Sequence, residues 1–237
     1  MKTRTSKTLG AAAGIAAIVA SLPLAIVADA DDPTPTTTAP VAPIPDPQGP
    51  GCDAFKTAVP NWKGLAIQPI GNVLASIPDI STFNSLVSGQ ANPAVNIVPV
   101  LTNGPFVVFA PTNDAFAAME PGQLDAIKAD PAALSKLDYY HTFLGLLGPD
   151  DVKGQRPTQE GTEIKVTGKG GDIKVNDTAK VICGGIQASN ARIYIIDTVL
   201  DPAQGPEPLT PSGTSSTTTT TTTTTTTEAP PPPPPAG

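Results

Sequence analysis

Residues Phe106-Val-Val-Phe-Ala-Pro-Thr-Asn-Asp-Ala-Phe116 hold a strand, a stop and a helix start in one short run. Phe106 to Ala110 is uncharged, aromatic and β-branched, the pattern of a strand buried on both faces. Pro111 lacks an amide donor and ends the ladder. Thr112, Asn113 and Asp114 carry side chains that accept hydrogen bonds from free amides at a helix start. Ala115, Phe116 and Met119 give the new helix an apolar face. A core of both sheet and helices is therefore predicted around this stretch, an α+β class.

Outward from it, composition sets the limits. The chain has 237 residues and 29 prolines, most of them outside residues 50–205. That leaves one domain of roughly 150 residues, enough for a core. Lys2, Arg4 and Lys7 precede an uncharged run from Leu9 to Ala28, and Ala28-Asp29-Ala30 fits a small-x-small cleavage site. Residues 1–30 are predicted to be an export signal. An uncleaved anchor is the alternative, since the run approaches the roughly 20 residues of a spanning helix. Pro23 and the small-residue exit favour cleavage, so no stable membrane span is expected in the mature chain. No Cys follows the run directly, which argues against a lipid anchor. Residues 31–50, with seven prolines among Thr, Ala and Asp, read as an extended spacer. Residues 204–237 read as a second unstructured arm, with a threonine run from Thr217 to Thr227 and prolines from Pro230 to Pro235. The arm is either an O-glycosylated stalk or a plain solubilising tail. The net charge of −7 becomes more negative after cleavage. With no basic patch, this does not suit nucleic acid.

Residues 51–203 then form the domain. Two short helices are expected over 71–88, broken at Pro78, with Asp79 as an N-cap and Ile80, Phe83, Leu86 and Val87 on one face. A further segment runs from Asn92-Pro93 to Leu101, and Asn103-Gly-Pro105 turns into the central strand. Leu124 and Ile127 mark a helix. Asp130-Pro131 is an N-cap with an N1 proline, opening another. Gly161 to Val166 and Asp172 to Val175 alternate apolar and polar residues around Gly168-Lys-Gly-Gly171, a hairpin signal that leaves Lys165 and Lys174 toward water. Asn176-Asp-Thr178 matches the glycosylation sequon.

Three features carry possible chemistry. His141, in Leu137-Asp-Tyr-Tyr-His-Thr-Phe-Leu144, is the only histidine. It is either a general base oriented by Asp138 or Asp114, or a packed ring tying loops to the core, and its apolar surroundings favour the packed reading. Cys52 and Cys183 are the only cysteines. Two cysteines in an exported chain favour a disulfide, with free thiols or an intermolecular bond as alternatives. Neither a G-x-S-x-G elbow nor a zinc-ligand spacing is present. No catalytic residue, metal site or cofactor is assigned. Finally, Val181 to Pro202 contains a buried-strand run, Ile193 to Ile196, in which Asp197 must find partners if it is buried.

These segments resemble the fasciclin (FAS1) domain. The stretch 106–116, with Thr112 and Asn113, resembles its first signature, and Tyr140-His141 resembles its Tyr-His pair. Ala188-Ser-Asn190-Ala-Arg-Ile-Tyr-Ile-Ile-Asp197-Thr-Val-Leu-Asp-Pro202 resembles its last. All three occur in order across about residues 52–202. Gly-Pro-Gly51-Cys52, Ser88-Gly-Gln-Ala-Asn-Pro93 and Val-Ile-Cys183-Gly-Gly look closest to the small secreted single-domain fasciclin antigens of mycobacteria and related actinobacteria. The resemblance implies a wedge-shaped β-sandwich flanked by several short helices, a Cys52–Cys183 disulfide, and an extracytoplasmic adhesion or interaction module that is not an enzyme. Three departures stand out. Ala191 replaces a common Gly and would be strained at positive φ. Tyr194 replaces a common His. Gly185-Ile186 takes the place of an Asp-Ile pair that some animal members carry just before the final signature and that is implicated in integrin binding, which puts adhesion by that motif in doubt. The expected protein is a secreted or wall-associated monomer whose partner is a surface protein, glycan or lipid. A lipid or small-ligand carrier is the second reading and a hydrolase using His141 the third.

Overall fold

The computed structural model describes residues 44–209. The export signal, most of the N-terminal spacer and most of the C-terminal arm lie outside the described residues.

Three helices open the domain: α1 (Cys52–Ala58), α2 (Ile70–Ala75) and α3 (Ser81–Val87), with short 3-10 turns at Trp62–Ile67 and Pro78–Ile80. Then follow α4 (Val98–Thr102), β1 (Phe106–Pro111), α5 (Asn113–Ala117), α6 (Gln123–Ala129) and α7 (Pro131–Tyr140). The rest is mainly sheet: β2 (Thr142–Leu144), β3 (Gly154–Pro157), β4 (Glu163–Lys169), β5 (Asp172–Val175), β6 (Ala179–Gln187) and β7 (Ala191–Ile196). A last 3-10 turn spans Pro202–Gln204.

The strands make one mixed sheet in the order β2-β1-β7-β6-β5-β4-β3. Only β1 and β7 run parallel, from Phe106 opposite Ala191 to Pro111 opposite Ile196. The two halves of the expected wedge are joined through β6. Its start pairs with β5, and its length pairs with β7 through two register shifts, between Val181 and Cys183 and between Gly184 and Ile186. Such bulges bend and twist a strand, which lets one half fold over the other. The sheet nearly closes, since the Gln159 N–H, beyond β3, donates to the Thr142 carbonyl of β2 at 2.8 Å.

β1 shows why a strand here must be apolar on both sides. Phe106, Val108 and Ala110 pack into the core between sheet and helices with Phe83, Leu86, Ile193 and Ile195. Val107 and Phe109 pack into a second core between the sheet halves with Phe143, Ile164, Val175 and Tyr194. Period-2 alternation sends neighbouring side chains to opposite faces, so two cores demand a continuous apolar run.

Several local expectations are corrected. Asp79 lies inside the 3-10 turn and caps nothing; α3 begins after Ile80 without a side-chain cap of its own. The segment after Asn92 is a turn in which Asn92 accepts from the Ala94 N–H at 3.0 Å, and α4 begins only at Val98. Asp197 lies beyond β7 and is exposed, yet accepts from the Lys180 N–H at 2.8 Å and the Thr198 hydroxyl at 2.9 Å. Among the described non-glycine residues only Asn176 and Asp177 have positive φ, so Ala191 carries no such strain. These two form the β5–β6 turn.

The ends of the domain hold more chain than the composition suggests. Gln48 pairs with Gly184 of β6, and Asp46 contacts Lys56 at 3.2 Å. At the other end the Leu209 N–H donates to the Glu163 carboxylate at 3.0 Å, and the Gln155 carboxamide donates to both the Glu163 carboxylate and the Glu207 carbonyl.

Candidate functional site

The residues singled out by sequence fall into three structural knots rather than one reactive centre. In the first, α7 ends at His141, whose ring is fully buried. Its Nδ1 lies 2.8 Å from the Leu137 carbonyl, one turn back in α7. Its Nε2 accepts from the Leu200 N–H at 3.0 Å. The carbonyl can only accept, so Nδ1 carries the proton and both ring nitrogens are used. Burial lowers the His141 pKa to about 4, which keeps the ring neutral. Neither Asp138 nor Asp114 orients it, which overturns the general-base arrangement considered from sequence. Asp138 is instead buried beside it on α7, with neither carboxyl oxygen hydrogen bonded. Burial pushes its pKa up to about 8. Tyr140 is equally buried; its hydroxyl donates to the Glu163 carbonyl at 3.3 Å and accepts from the Asn176 carboxamide at 2.8 Å. Burial raises its pKa. Asn176 also accepts from the Lys165 N–H at 2.9 Å, so the sequon side chain is committed to the interior.

The second knot is Thr112-Asn113. Thr112 caps α5 as expected, accepting from the Ala115 N–H at 3.1 Å. Asn113 caps a different helix. Its carbonyl oxygen accepts from the Thr82 N–H at 2.9 Å, and its amide donates to the Pro78 carbonyl at 3.0 Å. It thus supplies the cap that α3 lacks and fixes α3 to the end of β1. A shallow cleft of about 300 Å³ lies beside it, lined by Asp79, Asp114, Phe55 and Ile182.

The third knot is Asn190, in the β6–β7 turn. Its amide donates to the Leu101 and Gly104 carbonyls, the latter at 2.9 Å, locking the α4–β1 loop to the turn. Nearby, Tyr194 donates to the Leu147 carbonyl at 2.7 Å within the sheet–sheet core, and burial raises its pKa. Ile186, in the place of the integrin-linked motif, is buried and presents nothing to a partner. Cys52 and Cys183 form the disulfide that pins α1 to β6.

A second opening is a groove of about 330 Å³ between α6, α7 and the chain after β7. Met119, Ile127, Leu137 and Val199 make it apolar, and Lys136 and Gln204 are polar groups on its lining. His141 sits beneath, because the Leu200 whose amide it holds lines the same groove. Sequence reading gave no hint of this groove, since its lining is gathered from positions between 119 and 204. Among the described residues no group of three His, Cys, Asp or Glu side chains could hold a metal ion. No helix among them is long and apolar enough to cross a membrane.

The fasciclin domain family matches residues 78–202, a span that contains all three knots. The chain belongs to the fasciclin family. Among relatives of this fasciclin protein, immunogenic protein MPB70 of Mycobacterium bovis is 34% identical over 206 residues, covering 85% of this chain and 98% of its own. Cell surface glycolipoprotein MPB83 of the same species is 38% identical over 173 residues, covering 71% of this chain and 78% of its own. A solved FAS1 domain pair from the insect cell adhesion molecule fasciclin I is similar at 17% identity, with 52% of this chain and 45% of that one covered and a TM-score of 0.40.

Proposed function

We propose that this fasciclin protein is a secreted or cell-surface interaction module that acts through its surface and performs no catalysis. The observation that carries the reading is the state of His141. The one side chain suited to general-base work is buried, neutral and hydrogen bonded at both nitrogens, whereas a base must reach a substrate proton. Cys183 is likewise committed to the disulfide. Localisation outside the cytoplasm is supported by that disulfide, by the export-signal reading of residues 1–30, and by relatives named as immunogenic and cell-surface proteins. On this reading the chain works as a monomer and its partner is a surface protein, a glycan or a lipid.

A lipid-carrier role has less support. The space between helices and sheet is filled by Val73, Leu74, Ile80, Phe83 and Leu86, none of which is exposed. The groove beside α7, at about 330 Å³, stands at the lower end of small-ligand pockets, which start near roughly 300 Å³.

The test assays the native chain and H141Q side by side. Saturable binding to envelope or host-surface extracts, and no turnover of ester, amide or glycosidic probes, is the expected result for the native chain. Turnover that H141Q abolishes would overturn the reading.

A further inference from the structure

We propose that the outward face of β4, β5 and β6 binds an anionic polysaccharide, one that carries sulfate or phosphate esters. The proposal rests on the interaction-module reading and deepens it by naming a surface and a partner class.

The sheet register assembles the site. Thr167 of β4 lies opposite Lys174 of β5, and Lys174 lies opposite Lys180 of β6. Lys153 directly precedes Gly154, which lies opposite Val166, so it stands beside Thr167 on the other side. The neighbours Val152, Val166, Val175 and Val181 are buried. Period-2 alternation therefore turns Lys153, Thr167, Lys174 and Lys180 outward in one row, and all three lysines are exposed.

Like charges directly opposite each other destabilise a sheet. Lysine often serves at a sheet edge to block further pairing. That does not account for Lys174 and Lys180, because β5 and β6 are interior strands. None of the three lysines has an ion-pair partner among the described residues. A face that gathers unpaired ammonium groups at a cost to the sheet is complementary to an anion.

The spacing narrows the class. Cβ atoms of opposed residues lie about 5 Å apart, so Lys174 and Lys180 reach one ester group together, each as a point charge. Lys153 stands two strands from Lys174, about 10 Å away, where a second ester on an extended chain would sit. Thr167, between them, offers a hydroxyl to sugar hydroxyls.

Carboxylates border the row. Asp177 holds Lys165 at 3.0 Å, Asp172 lies opposite Lys169, Asp150 and Asp151 precede Lys153, and Asp197 accepts from the Lys180 N–H. Such a border suits sparse charge better than the dense charge of nucleic acid. The outward side chains of β4 and β5 are Lys165, Thr167, Lys169, Asp172 and Lys174. None is aromatic or apolar, so a nucleobase has no ring to stack on and a bilayer no side chain to take up.

The test measures binding of the full chain to heparin and to phosphomannan, with uncharged mannan as the blank. Saturable binding to an ester-bearing glycan, weakened by salt, is expected, with none to mannan. The arm that binds separates sulfate from phosphate. K174Q/K180Q is expected to weaken binding about tenfold, as for lysines facing an anionic surface, whereas K56Q/K63Q, which removes two charges outside the row, leaves it unchanged. Without glycan, K174Q/K180Q is expected to unfold at the same or a higher temperature, which separates loss of binding from loss of fold. Equal binding by the native chain and K174Q/K180Q, no binding to either ester-bearing glycan, or tighter binding to duplex DNA or phosphatidylglycerol vesicles would overturn the proposal. Saturable capture on surface extracts alongside any of these would leave the interaction-module reading standing and sink this proposal alone.

Discussion

Asp138 on α7 and His141 at its C-cap sit three residues apart and bend the pH dependence of folding in opposite directions. His141 has a folded pKa of about 4, below its ordinary value of 6.5. Its contribution is present above the unfolded pKa and is lost as pH falls from there toward 4. Asp138 has a folded pKa of about 8, above its ordinary value of 3.8. Its contribution is full below the unfolded pKa and is lost as pH rises toward 8. Between about pH 4 and 6.5 the two slopes offset. Between about 6.5 and 8 only Asp138 is left to act, and stability is expected to fall by about 2 kcal/mol. D138N keeps the shape and removes the titration, so urea unfolding of that variant is expected to be flat over the same interval. An unchanged slope in D138N would assign the dependence elsewhere. The residue scale also explains what the sequence left open for His141. Its apolar neighbours pointed to packing, but its partners are backbone groups, Leu137 carbonyl and Leu200 amide, which no side-chain motif encodes.

At the scale of elements, the disulfide and the signature side chains do related work, joining segments far apart in sequence. Cys52 and Cys183 close a loop of 131 residues and tie α1 to a strand that already receives Gln48 and Gly51 through backbone bonds to Gly184 and Ile182. In the chain-entropy account a loop of this length stabilises by about 4–5 kcal/mol. A C52S/C183S double variant is expected to lose about that much in denaturant unfolding while keeping its far-ultraviolet circular dichroism. A loss below about 1 kcal/mol would mean that the backbone bonds alone hold α1. The elements themselves were readable wherever one rule dominated. The run 106–110 had to be a two-sided strand, Thr112 and Asp130 had to cap, and Gly168 to Gly171 had to turn. Reading failed where long-range partners decided. Asn113 looked like a local cap and serves α3. Asp197 was expected to need partners if buried; β7 ends one residue before it, and it is exposed yet accepts from the Lys180 N–H and the Thr198 hydroxyl. The groove is assembled by tertiary packing of α6 and α7 against the chain after β7, which no local pattern foretells.

At the scale of the described domain, a nearly closed sheet and a layer of short helices surround two filled cores, and His141, Asp138 and the Cys52–Cys183 disulfide lie inside it. On the proposed interaction-module reading, recognition falls to the surface: the groove beside α7, the cleft at Asn113, and exposed Ile67 and Leu144. The measurement that tests this most directly is crosslinking of the full chain, captured on envelope and host-surface extracts, with the crosslinked positions mapped by mass spectrometry. The account predicts saturable capture with crosslinks on the face of residues 44–209. Crosslinks confined to residues 210–237 would contradict it and move recognition from the folded domain to the Thr/Pro arm.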